Sequence, residues 1–172
     1  MSGRPGSHTH LSELPREIEV DRESIIRRLG ECVKDIEELL GDEFLGLILF
    51  GSWARGEARR DSDVDIFIVL RGLGGVEVRS AIYRVVSRCL ERAVTLIDAR
   101  ADELFKGELE LTPLLLNILV DGIVIYDKTG EIRELTSRVR QFVDSMGLIK
   151  YKTPDGKYGW KRVDERPLSL LK

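Results

Sequence analysis

Alternating blocks of apolar and polar residues run along this chain, and their spacing predicts helices interleaved with strands. Apolar positions at helical spacing predict a first helix over 22–40, with Asp21 as its N-cap and Gly41 at its end. Two short and mostly apolar runs, 44–50 and 64–70, predict buried strands. The first part of the chain therefore reads as one helix followed by two strands.

The remaining pattern continues this alternation. The further predicted elements are a helix over 76–92, a strand over 93–98, a helix from Thr112-Pro113 to about Asp121-Gly122, a strand over 123–126 and a helix over 130–146. Helices that alternate with strands predict the α/β (α+β) class, built around one small sheet.

Residues 148–163 alternate differently, and the turn signal Asp155-Gly156 predicts a C-terminal β-hairpin. Its basic and aromatic members are Lys150, Tyr151, Lys152, Lys157, Tyr158, Trp160, Lys161 and Arg162. Such a mixture can bind single-stranded nucleic acid through charge and stacking. It can also cover a sheet edge, with the aromatics inward and the lysines outward. We favour the covering role.

Composition bounds the class of protein. The 172 residues, 42% of them hydrophobic and 33% charged, predict one soluble globular domain over 17–147 with modest extensions. We expect a flexible tail over 1–16, including His8 and His10, and a hairpin extension over 148–172. The net charge of −3 argues against a protein that coats nucleic acid nonspecifically. Without a long apolar segment, the chain is predicted to be cytoplasmic.

Two cysteines, Cys32 and Cys89, fall on the apolar faces of predicted helices. Free cysteine behaves as a small buried hydrophobe, and disulfides are rare in the cytosol. We therefore expect two buried thiols rather than a disulfide or a pair of metal ligands.

The run from Leu49 to Val69 carries the candidate chemistry. A predicted strand leads into Gly51-Ser52, and Asp63 and Asp65 open the next strand. Residues two apart in a strand share a face, about 7 Å apart along it, so these carboxylates point the same way. Carboxylate oxygens suit Mg²⁺, which commonly bridges to substrate phosphates. A glycine turn before a helix leaves backbone N–H groups free for phosphate oxygens.

The pattern Gly-Ser-x-Ala-Arg-Gly-x(5)-Ser-Asp-x-Asp resembles the signature of the DNA polymerase β-like nucleotidyltransferases, and the short chain resembles their minimal (MNT) branch. The matching positions are Gly51, Ser52, Arg55, Gly56, Ser62, Asp63 and Asp65. The similarity extends over about 45–127, where 111–126 resembles the helix and strand that close the minimal domain. The resemblance implies a mixed sheet with helices packed mainly on one side.

The resemblance also implies an activity: Mg²⁺- or Mn²⁺-dependent transfer of NMP, with AMP from ATP favoured, onto a hydroxyl. Asp63 and Asp65 would hold the metal ions, and Gly51 and Ser52 would grip the β- and γ-phosphates. Arg55 would add charge to the triphosphate or lie solvated on its helix.

Two further motif residues have supporting roles in this interpretation. Gly56 would serve the turn, and Ser62 would orient the start of the second strand.

Enzymes of this family place a third carboxylate on the neighbouring strand, where this chain offers two alignments. One alignment puts Thr95 at the acidic position, and the other gives the role to Asp98, three residues on and of opposite strand parity. We favour Asp98, which would reach the metals if the strand ended or bulged before it. The alternative is that Asp98 caps a short helix over 99–105.

Minimal members of the family often act beside a small helical HEPN-type protein, as the antitoxin half of a toxin–antitoxin pair, and can modify a tyrosine of that partner. The resemblance implies such a partner here, with the acceptor on another molecule. A module that binds nucleotide or protein without turnover is the alternative, and Thr95 favours it. A nucleic-acid-binding protein that acts through the hairpin is less favoured because the net charge is acidic.

Overall fold

The computed structural model describes residues 20–164, so the predicted tail over 1–16, with His8 and His10, lies outside the described residues. The elements are α1 (Arg22–Leu40), β1 (Phe44–Phe50), α2 (Gly51–Arg55), β2 (Val64–Leu70), α3 (Val76–Leu90), β3 (Val94–Arg100), α4 (Ala101–Phe105), α5 (Pro113–Asp121), β4 (Ile123–Asp127), α6 (Glu131–Ser145), β5 (Leu148–Lys152) and β6 (Tyr158–Arg162). The predicted α/β class and order of elements are confirmed.

The central sheet has four strands in the order β3-β2-β1-β4. The strand β1 is antiparallel to both β2 and β4, whereas β2 and β3 run parallel. A parallel pair needs a crossover connection, and α3 supplies it between β2 and β3. The sheet is therefore mixed, and the start of β2 lies beside the end of β1 and the start of β3.

Helices cover both faces of this sheet. One face packs on α1 and α3 in a core that we call the α1/α3 core, formed by Ile25, Leu29, Cys32, Ile36, Ile66, Ile68, Ile82, Val86 and Leu90 among others. The opposite face packs on α5 and α6 in the α5/α6 core, which includes Ile48, Phe67, Val69, Leu116, Leu119, Leu135 and Val139.

The expectation that helices lie mainly on one side is therefore wrong. Every residue of β1 is buried, as is nearly every residue of β2. A strand that is apolar at successive positions presents apolar side chains to both faces, and both faces then need cover.

Local signals in the sequence set the helix starts as predicted. The carboxylate of Asp21 accepts a hydrogen bond from the Ser24 amide at 2.7 Å, and α1 begins at the next residue. Thr112 caps α5 in the same way, accepting from the Leu115 amide at 3.2 Å, and Pro113 occupies the first turn.

Cys32 and Cys89 form a disulfide, so the expectation of two buried thiols is wrong. The bridge joins α1 to α3, with the two Cα atoms 5.9 Å apart. The two helices lie side by side on one face of the sheet, which brings together residues 57 apart in sequence. Helical periodicity shows that each cysteine faces inward, but it does not show which helices meet.

The C-terminal hairpin is present as predicted, and β5 and β6 form a separate two-stranded sheet. It does not cover an edge of the main sheet: it packs on α5 and α6. Trp160 is buried there, and its indole N–H donates to Asn117 Oδ1 at 2.8 Å, whereas Tyr151 is exposed. Trp160 and Leu148 belong to the α5/α6 core, and the division into a domain over 17–147 and an extension stays a prediction.

Across residues 20–164, helix length and apolarity nowhere reach what crossing a membrane requires.

Candidate active site

Asp63 and Asp65 lie together at the start of β2, on the same side of the chain. Asp63 is exposed just before the strand, and Asp65 is half-buried within it, opposite Phe50 of β1 and Thr95 of β3. Their charges repel each other. The sequence-predicted pair is therefore assembled at the point where β1 ends and β2 and β3 begin.

The Asp65 carboxylate is held by two donors. The backbone N–H of Ser52 and the hydroxyl of Thr95 both donate to it. Burial raises the pKa of Asp65 above its ordinary value, and the neighbouring charge of Asp63 raises it further, while the two hydrogen bonds and the charge of Arg55 oppose these effects. Asp65 is thus a fixed carboxylate in a partly desolvated position, next to a second and solvated one.

Gly51 joins β1 to α2 with a φ of +70°, a region that L side chains rarely adopt. A Cβ atom at this position would overlap the Asp65 carboxylate. Glycine at position 51 therefore lets Asp65 lie against the first turn of α2. In the sequence interpretation Gly51 and Ser52 serve phosphate alone, whereas the geometry gives both of them a contact with Asp65; their phosphate role stays a prediction.

The segment between α2 and β2 is tied down at both ends. Gly56 ends α2 in the left-handed conformation, which supports its predicted role in the turn. The Ser62 hydroxyl accepts from the Arg59 amide at 2.8 Å, and the Ser62 carbonyl accepts from the buried Trp53 indole at 3.2 Å. Ser62 thus closes the loop that delivers Asp63, and Trp53 is a supporting residue that the sequence interpretation missed.

Asp98 does not join the carboxylate pair, which corrects the favoured alignment. The register of β2 and β3 is continuous, with Thr95 opposite Asp65 and Asp98 opposite Ile68. Strand parity puts Asp98 on the α1/α3 face, where its carboxylate accepts from Arg79 Nε of α3 at 2.7 Å.

The alternative role of Asp98 as a helix cap is also wrong. Because β3 extends to Arg100, Asp98 is a strand residue, and Arg100 stands at the N-cap of α4. Thr95, the residue of the other alignment, is the one that lies opposite Asp65.

Arg55 links this site to the C-terminal hairpin. Its Nε donates to Glu57 Oε2 at 3.0 Å, and its guanidinium carbon lies 4.5 Å from the centre of the Tyr158 ring. The Tyr158 hydroxyl donates to the other oxygen of Glu57 at 2.5 Å. Of these partners only Arg55 belongs to the motif, so the sequence pattern does not indicate that the hairpin reaches the site.

The donor set can be compared with the needs of a divalent cation. Asp63 and Asp65 supply carboxylate oxygens, and no third acidic or imidazole side chain joins them within residues 20–164. Mg²⁺ keeps several water ligands and is commonly bound through one or two carboxylates plus substrate phosphates. The residues present therefore fit a cation that arrives with, or is completed by, a nucleotide.

Comparison with known proteins places this chain in a family. The profile of the nucleotidyltransferase domain matches residues 26–149. A candidate protein adenylyltransferase of Methanocaldococcus jannaschii is 24% identical over 160 residues, which cover 84% of this chain and 99% of that protein. A second such protein of the same organism is 38% identical over 64 residues, or 37% of this chain and 65% of its own length.

A crystal structure of a toxin–antitoxin complex with AMP-PNP aligns with 67% of this chain and 87% of its own, at 15% identity and a TM-score of 0.49. The family profile is the stronger finding. It spans the carboxylate pair, the glycine turn and most of both cores. The chain therefore belongs to the nucleotidyltransferase domain family and is a nucleotidyltransferase enzyme.

Proposed function

We propose that the chain transfers AMP from ATP, with Mg²⁺ or Mn²⁺ as cofactor, onto a hydroxyl group of a partner protein. The observation that carries this proposal is the Asp63–Asp65 pair on one side of β2, with Asp65 held against the glycine turn by Ser52 and Thr95. Two carboxylates beside a turn that admits close approach are what a metal-bound triphosphate requires.

The residues would divide the work as follows. Asp63 and Asp65 would hold the cation, which when bound neutralises the charge that develops on the phosphate oxygens. Ser52 would act twice, through its amide on Asp65 and through its hydroxyl on the phosphates. Arg55, whose charge already acts on Asp65, would stabilise the triphosphate.

In the reaction itself, the acceptor oxygen bonds to the α-phosphorus of ATP. The bond between that phosphorus and the α–β bridging oxygen breaks, pyrophosphate leaves with the bridging oxygen, and the hydroxyl proton is released to water. Thr95 in place of a third carboxylate leaves the described residues without an obvious proton acceptor beside the pair, so the acceptor molecule would supply its own activation.

A protein acceptor is supported by the two Methanocaldococcus jannaschii relatives, each a candidate protein adenylyltransferase. A helical HEPN-type protein, with this chain as the antitoxin, is the partner that the resemblance to minimal nucleotidyltransferases implies. Modification of a partner tyrosine would then be the reaction.

The site is tested by thermal unfolding with ATP and Mg²⁺. Ligand that binds only the folded state raises the melting temperature by mass action. We expect such a rise for the natural chain and its loss in the double variant Asp63→Asn, Asp65→Asn, which keeps the shape of both side chains. A metal-dependent rise of equal size in the double variant would place the metal elsewhere.

One observation favours a second candidate, a module that binds nucleotide and partner without turnover. Thr95 replaces a carboxylate that family enzymes place on the strand neighbouring β2. Labelled ATP separates the candidates, because the enzyme transfers label to a second protein, whereas the module retains ATP and releases it unchanged.

A further inference from the structure

The C-terminal hairpin reaches the loop that follows α2. Tyr158, the first residue of β6, donates its hydroxyl to Glu57 Oε1 at 2.5 Å. Asn117 of α5 fixes the base of this contact, since its amide donates to the Tyr158 carbonyl at 3.4 Å and its oxygen accepts from Trp160. Hydrogen bonds and packing therefore hold the hairpin in one place relative to the nucleotide site.

Arg55 is clamped between the hairpin and the carboxylate pair. Glu57 accepts from its Nε at 3.0 Å, and the Tyr158 ring lies beneath its guanidinium at 4.5 Å. Only 19% of the Arg55 side chain is exposed, although it carries a full charge. An arginine held by a carboxylate and an aromatic ring loses little additional freedom when an anion binds to its remaining N–H groups.

A second cation, Lys152 of β5, lies beside the same ring. Its Nζ is 5.3 Å from the centre of the Tyr158 ring, and its charge acts on Glu57. The ammonium group of the nearby Lys150 is already paired, because it forms an ion pair with Asp121 at 2.5 Å. Within residues 20–164, Lys152 forms no ion pair, so its ammonium group is available to a ligand.

We propose that the hairpin completes the nucleotide site, with Tyr158 as a positioning residue that holds Arg55 through Glu57 and Lys152 as a second cation that binds the phosphate tail of a nucleoside triphosphate. This inference rests on the proposed function, since it concerns the same site. Arg55 and Lys152 together outweigh the one carboxylate between them, Glu57. Arg55 provides positive charge beside Asp65, and Lys152 provides it beside Glu57, so both cations reduce the repulsion that a polyanionic substrate would otherwise meet at the carboxylates.

The Lys152 part is tested by the affinities of the full chain for ATP, ADP and AMP in the presence of Mg²⁺. Lys152 is exposed, so Lys152→Ala should weaken ATP binding about fivefold, as for the loss of a solvent-exposed ion pair, and should leave AMP binding nearly unchanged. Lys152→Arg should restore most of the affinity. The matched control is Lys161→Ala, which removes the same charge from the same hairpin beside Tyr151, with Nζ 6.0 Å from that ring; it should bind ATP like the natural chain.

The role of Tyr158 is tested by a double-mutant cycle that compares the effects of Tyr158 and Arg55 substitutions on ATP affinity. Tyr158→Phe keeps the ring and removes the hydroxyl, so it should weaken ATP binding about threefold at an unchanged melting temperature without ligand. In an Arg55→Ala background the same substitution should have no further effect on ATP affinity, because Tyr158 acts through Arg55. An equal additional loss in that background would overturn the positioning role.

The outcomes separate this inference from the proposed function. Failure of the natural chain to bind ATP would refute both. ATP binding by the natural chain, together with equal affinity in Lys152→Ala or an equal loss in Lys161→Ala, would refute the hairpin role alone.

Discussion

Breaking the Cys32–Cys89 disulfide should cost the fold about 4 kcal/mol. The bridge closes a loop over a sequence separation of 57. In the chain-entropy account, a loop of that length removes about 14 cal/mol/K from the unfolded chain, or about 4 kcal/mol at 25 °C. For a domain of this size each kcal/mol shifts the melting temperature by about 2–4 °C. We therefore expect the reduced chain to melt about 8–16 °C lower than the oxidised chain.

The assay is thermal or denaturant unfolding with and without reductant, beside a double variant Cys32→Ala, Cys89→Ala. The variant should melt near the reduced natural chain and should not respond to reductant. Because the bridge lies in the α1/α3 core, on the face away from Asp65, the stabilisation by ATP and Mg²⁺ should survive reduction.

Two results would refute this reasoning. One is the detection of two free thiols in the unfolded, unreduced chain, which would mean that no bridge forms. The other is a loss of stability on reduction that is equally large in the double variant, which would place the effect of the reductant elsewhere.

Three further predictions concern the site. Asp65→Asn should raise the melting temperature without ligand and abolish the response to ATP and Mg²⁺. Because burial raises the pKa of Asp65, the folded natural chain binds the carboxyl proton more tightly than the unfolded chain does. The free energy of unfolding should therefore fall as the pH rises from the ordinary Asp value through the raised pKa. The Asp65→Asn variant should lose this pH dependence. Gly51→Ala should lower the free energy of unfolding, measured with denaturant, by at least about 1–2 kcal/mol, and adding Asp65→Ala should recover part of that loss. Losses that simply add in the double variant would contradict the close approach of Gly51 and Asp65. Asp98→Ala should leave the response to ATP and Mg²⁺ unchanged and cost about 0–1 kcal/mol through its pair with Arg79, whereas a lost response would restore Asp98 as a ligand.

The parts of the fold that the sequence predicts are those that local chemistry decides. Asp21 and Thr112 cap helices because each side chain reaches a backbone N–H only three residues away. The buried strands β1 and β2 follow from short apolar runs, and Asp155-Gly156 marks the hairpin turn. None of these features depends on which helices and strands pack against each other.

The errors concern which elements pack together and how far a strand extends. The Cys32–Cys89 bridge depends on α1 and α3 being neighbours, which periodicity does not specify. The choice of Asp98 requires β3 to end or bulge early, but β3 pairs with β2 in unbroken register through Arg100, so strand parity turns Asp98 away from Asp65. The contact of Tyr158 with Glu57 joins residues 101 apart in sequence and has no local signature.

The central claim is transfer of AMP to a partner protein, and the most direct measurement is the intact mass of both proteins after incubation with ATP and Mg²⁺. The partner to use is the product of the neighbouring gene. The account predicts that this protein gains the mass of one or more AMP groups, and that Asp63→Asn, Asp65→Asn leaves its mass unchanged. An unchanged partner mass with the natural chain, under conditions where ATP and Mg²⁺ raise the melting temperature, would contradict transfer and leave a binding module.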